Sequence, residues 1–301
     1  MVFLGGALIP HGAMILDPEK PGLPNGAVEL HEKTMEMARE IAALNVEVLV
    51  LLTPHGLSLN KDIGVYLNGE ADGTAEWNEQ WKEFEVKTEL SRTRSTELLE
   101  AWQSDGVSAQ GLMAFSDLRA PLAWAEVIPL WFLKEAGFNG EIVIASIPWS
   151  RKRSRMAIDS NCLDEYYHAG DRIAHYCTET IWKEKRVFLG VSGDLAHTHQ
   201  PSVTDPLYLP DPHSNFKYCT TDAREFDRRF EEWALDSARG KSLESRCIEL
   251  ERTALSCGIC GCLILEGALH VFEQKGEAYP GKLFIRCAPT YYAMMSCLFV
   301  R

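Results

Sequence analysis

Two apolar runs of strand length, Val2–Ile9 and Glu47–Leu52, each lead within two residues into the same tripeptide, Pro10-His11-Gly12 and Pro54-His55-Gly56. The stretch between them, "GAVELHEKTMEMAREIAALN", repeats its apolar residues every three or four positions, the period of an amphipathic helix. The alternation continues along the chain. Further strands are expected at Glu141–Ser146, Arg186–Val191 and Lys282–Arg286. Further helices are expected in "STELLEAWQSDG", "AEVIPLWFLKEAG", "EFDRRFEEWALDSARG" and "CGCLILEGALHVFEQKG". Strands separated by helices imply parallel pairing with helices on both sides. The expected fold is therefore α/β: a single-domain sandwich over residues 1–301, with a central mixed or mostly parallel sheet and helices on both faces.

Such sheets bind ligands at the carboxyl ends of their strands, where His11 and His55 both fall. Proline stiffens the approach, and glycine lets the backbone turn without a Cβ clash. Two imidazoles held this way suit a divalent transition metal. A third strand end, "FLGVSGDLAHTHQ", supplies Asp194, His197 and His199. Asp194 is expected to cap a following helix or to face the pocket. His197, one turn later, faces the same mouth and suits general acid–base work beside a metal. His199 is assigned to the loop. Residues 199–222, "HQPSVTDPLYLPDPHSNFKYCTTD", form a long Pro-rich segment of a kind that often covers or carries a site.

Composition narrows the function classes. Thirty Lys and Arg against 43 Asp and Glu give a formal net charge of −13, which argues against nucleic-acid binding. No basic segment precedes the first apolar run, as a signal peptide would require. No apolar run approaches the roughly 20 residues that span a bilayer. The nine cysteines all lie between positions 162 and 297, an odd count that reads as reduced thiols rather than a disulfide framework. A cytoplasmic enzyme without nucleic-acid or membrane partners is the expectation.

Pro-His-Gly after strand one, Thr-Pro-His-Gly after strand two, "SGDLAH", "REFDRRF" and "SCGICGCLILEGAL" follow one another in that order. Together they resemble the LigB-type class III extradiol ring-cleavage dioxygenases, in the branch related to the Memo proteins. "SGDLAH" is the most specific element, and the resemblance covers most of the chain. It implies a non-haem Fe(II) centre that cleaves a catechol or aminophenol-like ring with O2. His11 and His55 match the metal ligands, His197 the acid–base histidine and Asp194 a pocket residue. Zn(II) or copper are alternative metals. A homo-oligomer or a partner subunit also agrees with the resemblance.

Two positions depart from that pattern. Relatives in this branch carry Glu-Cys-Gly where this chain reads Ser256-Cys257-Gly258, so the usual carboxylate is missing. Memo proteins offer the cysteine itself, which makes Cys257 the candidate third ligand. Glu251 is a weaker substitute, and Glu266 falls too deep in the helix. A thiolate makes a softer site that admits zinc or copper. Second, Trp124 stands where relatives place a pocket histidine, and an indole stacks on a ring but accepts no proton. With Glu126 as a new charge beside it, a Memo-like metal-binding or redox protein and a zinc-dependent hydrolase are the rival readings. The Cys257/Cys260/Cys262 cluster runs into helix and reads as buried small residues. The basic run "RKRSR" at 151–155 reads as a solvated turn.

Overall fold

The computed structural model describes residues 2–76, 84–148, 163–199 and 220–301. The basic run and nearly all of the Pro-rich segment lie outside these residues. In chain order the elements are β1 (Val2–Ile9), α1 (Ala27–Ala43), β2 (Val48–Thr53), β3 (Ile63–Tyr66), β4 (Glu70–Ala75) and β5 (Phe84–Glu89). There follow α2 (Arg92–Ser104), β6 (Ala109–Leu112), β7 (Ala120–Pro121), α3 (Trp124–Glu135), β8 (Glu141–Ser146), α4 (Leu163–Glu179) and β9 (Arg186–Ser192). The chain ends with α5 (Asp222–Leu235), α6 (Leu243–Ala254), α7 (Ile259–Glu273), β10 (Gly281–Cys287) and β11 (Met294–Phe299).

The fold is α/β, as expected. Eight strands form a mixed sheet in the order β10-β11-β1-β9-β2-β8-β3-β6, and β5-β4-β7 form a small second sheet. The centre is parallel, with β1 on β9, β9 on β2 and β2 on β8. Antiparallel pairing enters at β3 on β8 and at β11 on β1 and β10. All six residues of β2 are buried, as a strand covered on both faces requires. Its side chains divide by alternation. Val48, Val50 and Leu52 join the core that α2, α4, α5, α6 and α7 share, whereas Leu49 and Leu51 join the one shared with α1 and α3. Each such Val or Leu contributes about 1.5–3 kcal/mol by leaving water.

Strands β3 to β7, β11 and helices α4 and α6 go beyond the sequence expectation. The reason is local. β11 reads "MMSCLF", a fully buried run without alternation between faces, and β4 exposes much of its surface, whereas α4 and α6 carry an amphipathic pattern of their own. Among the described residues no helix is long and apolar enough to cross a membrane.

Helices α4 and α7 lie against each other through glycine. A Cβ at Gly170 would fall 1.7 Å from the Ile264 carbonyl oxygen, and one at Gly267 would fall 2.1 Å from that of Tyr167. Backbone meets backbone here, so no side-chain rotation relieves the overlap. Gly170→Ala is therefore expected to cost about 1–3 kcal/mol by overpacking. A denaturant melt showing wild-type stability would contradict this packing.

Candidate metal centre

Strand β9 lies between β1 and β2, all three parallel. His11, His55 and Asp194 each stand two residues beyond the end of one of these strands. The parallel register thus brings three chemically active side chains to one end of the sheet. One ligand atom each from His11, His55 and Cys257 lie within 4.8 Å of one another, and so do those from Asp194, His197 and Cys257. The His11 and His55 rings meet edge to face at 5.2 Å. Glu251 is buried in α6 but joins neither group. Glu266 serves elsewhere: its Oε1 accepts the N–H groups of Ser242 and Leu243 at 2.8 Å each and so holds the start of α6.

Hydrogen bonding sets the proton on His11. Ser192 Oγ donates its one proton to the Ala125 carbonyl at 2.5 Å. Toward His11 Nδ1, at 2.8 Å, the same oxygen can only accept. The N–H is therefore on Nδ1, and Nε2 keeps its lone pair, the arrangement a metal-ligating histidine needs. Nε2 lies 3.4 Å from Cys257 Sγ and 3.5 Å from Asp194 Oδ2.

Asp194 does not cap a helix, because residues 193–199 form none. Its Oδ1 accepts the His11 backbone N–H at 3.1 Å. Its own N–H donates to Cys257 Sγ at 3.2 Å, and its carbonyl accepts the Gly258 N–H at 3.1 Å and the Ser256 hydroxyl at 2.9 Å. Ser256 thus ties the Cys257 segment to the end of β9. Burial pushes the Asp194 carboxyl up to about 7, against the opposing His11 N–H bond. No Lys or Arg is among its described partners.

Aromatic rings flank the histidines, with Tyr291 also near His197 at 6.3 Å. Tyr292 stacks on His197 at 5.5 Å, and Trp124 stacks on His55 at 5.1 Å. His197 Nδ1 donates to the Leu195 carbonyl at 3.0 Å, which leaves the lone pair on Nε2. His199 lies in the loop, as expected, but it is not free in it. It is buried, with Nε2 2.6 Å from the buried carboxylate of Asp227 in α5. Asp227 also accepts the Ala196 N–H, so α5 holds the His197 segment from both sides.

The glycines of the two Pro-His-Gly turns avoid a Cβ clash, as expected, and the clash avoided is with neighbouring side chains. Neither has a positive φ. A Cβ on Gly12 would fall 2.7 Å from Tyr292 Cε2, and one on Gly56 would fall 2.1 Å from Glu126 Oε1. Each glycine makes room for a neighbouring side chain. Ser192, Tyr292 and Asp227 escape a reading of single motifs, although "VSGDLAH" and "REFDRRF" contain the first and the last. A separate surface hollow of about 910 Å³, beside Arg92, Phe115 and Arg119, stands apart from this cluster. Its arginines are paired with Asp117, Glu70 and Asp72.

No protein-family model matches the chain, and no curated protein matches it. Geometry and donor chemistry therefore carry the reading of this site. Ser192→Ala removes the acceptor that orients His11, and second-sphere losses of this kind cost about 10–100-fold in metal affinity. Competition with a chromogenic chelator measures it; unchanged affinity would contradict the assigned proton position.

Proposed function

We propose that His11, His55 and Cys257 hold one divalent metal ion, and that the protein is a non-haem Fe(II)-dependent extradiol-type dioxygenase acting on a catechol or aminophenol-like ring. The observation that carries this reading is the convergence of two imidazoles, a thiol and a carboxylate at one sheet end. The donor set fits a metal in its spacing. Bond lengths of about 2.0–2.1 Å to nitrogen and 2.3 Å to sulfur put tetrahedral neighbours about 3.6 Å apart, against 3.4 Å between His11 Nε2 and Cys257 Sγ. A buried carboxylate without a described Lys or Arg beside it also favours a cation.

Bound Fe(II) would offer open coordination positions to the diol and O2. The chain's own groups supply the rest. His197 Nε2 accepts a proton from the diol and later returns it, while the Leu195 carbonyl and the Tyr292 ring fix its plane. Trp124, half-exposed and stacked on His55, offers an aromatic face to a planar substrate. His11, Asp194 and Cys257 are almost fully buried, which strengthens electrostatic interactions within the site.

A second reading rests on Cys257. A thiol in place of the carboxylate favours zinc or copper over iron, and with it a Memo-like metal-binding or redox protein or a zinc-dependent hydrolase. One experiment separates these readings: metal content after anaerobic purification, then O2 uptake with Fe(II) and a panel of catechols. The dioxygenase reading predicts about one iron per chain. It predicts uptake that His55→Ala abolishes with the metal and that His197→Ala abolishes without losing metal. Zinc with no uptake after Fe(II) loading would transfer the assignment to the second reading. Turnover retained in His197→Ala would remove that residue from the mechanism.

A further inference from the structure

His55 lies outside any strand or helix, in the bend that follows β2, and hydrogen bonds across residues 53–57 help to hold it. The bond within the bend is weak: the His55 N–H donates to the Thr53 side-chain hydroxyl at 3.4 Å. Stronger contacts come from two buried side chains on other elements. Tyr66, the last residue of β3, accepts the Leu57 N–H on its hydroxyl at 2.5 Å and donates to Glu126 Oε1 at 2.9 Å. Glu126, in the first turn of α3, accepts the Ala123 N–H on Oε2 at 2.8 Å. Gly56 lies directly beneath this pair, since a Cβ there would fall 2.5 Å from the Tyr66 hydroxyl as well as 2.1 Å from Glu126 Oε1.

We propose that Glu126 and Tyr66 are positioning residues that clamp the His55 bend to the start of α3, fixing His55 as a ligand and Trp124 as its stacking wall. The inference rests on the metal-centre reading above. Its logic is mechanical. Glu126 is two residues from Trp124 in the same first turn, and Trp124 stacks on His55. One carboxylate therefore joins the bend that carries the ligand to the turn that carries the ring over it. Both oxygens are engaged, one by each side. A carboxylate buried without a cationic partner costs stability relative to an apolar side chain of similar size. That cost is consistent with a role in geometry rather than in holding the core. Burial pushes the Glu126 carboxyl up to about 7, against the bonds from Tyr66 and Ala123.

The test uses the full chain and Co(II), whose d–d spectrum reports ligand geometry. Tyr66→Phe removes a single oxygen and keeps the buried ring. Glu126→Gln keeps an oxygen for Tyr66 but sets an amide against the Ala123 N–H, and serves as the second variant. Each is expected to bind Co(II) about 10–100-fold more weakly than wild type, with altered d–d bands. Wild-type affinity in both variants overturns the clamp. So does weaker binding with an unchanged d–d spectrum, because that pattern marks a general loss of stability. A wild-type protein that binds no Co(II) removes the metal-centre reading and the clamp with it, an outcome visible before any variant is made.

Discussion

The closure of residues 193–194 onto residues 256–258 is the constraint on which the site depends. Gly193 and Gly258 touch backbone to backbone, and a Cβ on Gly193 would fall 2.4 Å from Gly258 Cα. That approach lets the Asp194 carbonyl take the Gly258 N–H and the Ser256 hydroxyl, and lets the Asp194 N–H reach Cys257 Sγ. The end of β9 and the start of α7 become one unit. Cys257 thereby stands beside His11, 246 residues away in sequence. A side chain at position 193 would push the two segments apart and withdraw the sulfur from the imidazoles.

Around that closure each reactive group is held by a neighbour of opposite hydrogen-bonding character. Ser192 holds the His11 ring, the Leu195 carbonyl holds His197, and Asp227 holds His199 and Ala196. Preorganisation of this kind matters because a metal site loses affinity when its ligands must be gathered on binding. The strands supply the coarse placement, at two residues past each carboxyl end, and these bonds supply the ring orientations. Ser192 faces His11 because it is the last residue of the strand paired with β1.

The parts of the molecule legible in sequence are those set by local pattern. β1, β2, β8 and β9 are buried on both faces and so appear as continuous apolar runs, and α1 has the contrast of an amphipathic surface helix. The Pro-His-Gly pair was legible as candidate ligands because short motifs at strand ends constrain placement, whereas Cys257 became a candidate only through the family resemblance. What sequence could not reveal depends on contacts between distant residues. Ser192 lies 181 positions from His11, and Tyr66 lies 60 from Glu126. The expected helix cap at Asp194 failed for the same reason: its partner is the N–H of His11, not a helix of its own. The antiparallel β11 was illegible because its Met, Ser and Cys residues blur the alternation that marks a strand.

The central claim is a metal held by two imidazoles and one thiolate. X-ray absorption spectroscopy of the metal-loaded protein tests it most directly. The account predicts one sulfur neighbour at about 2.3 Å and imidazole nitrogens at about 2.0–2.1 Å, with the sulfur signal lost in Cys257→Ser. A first shell of nitrogen and oxygen alone, unchanged by that substitution, would contradict it.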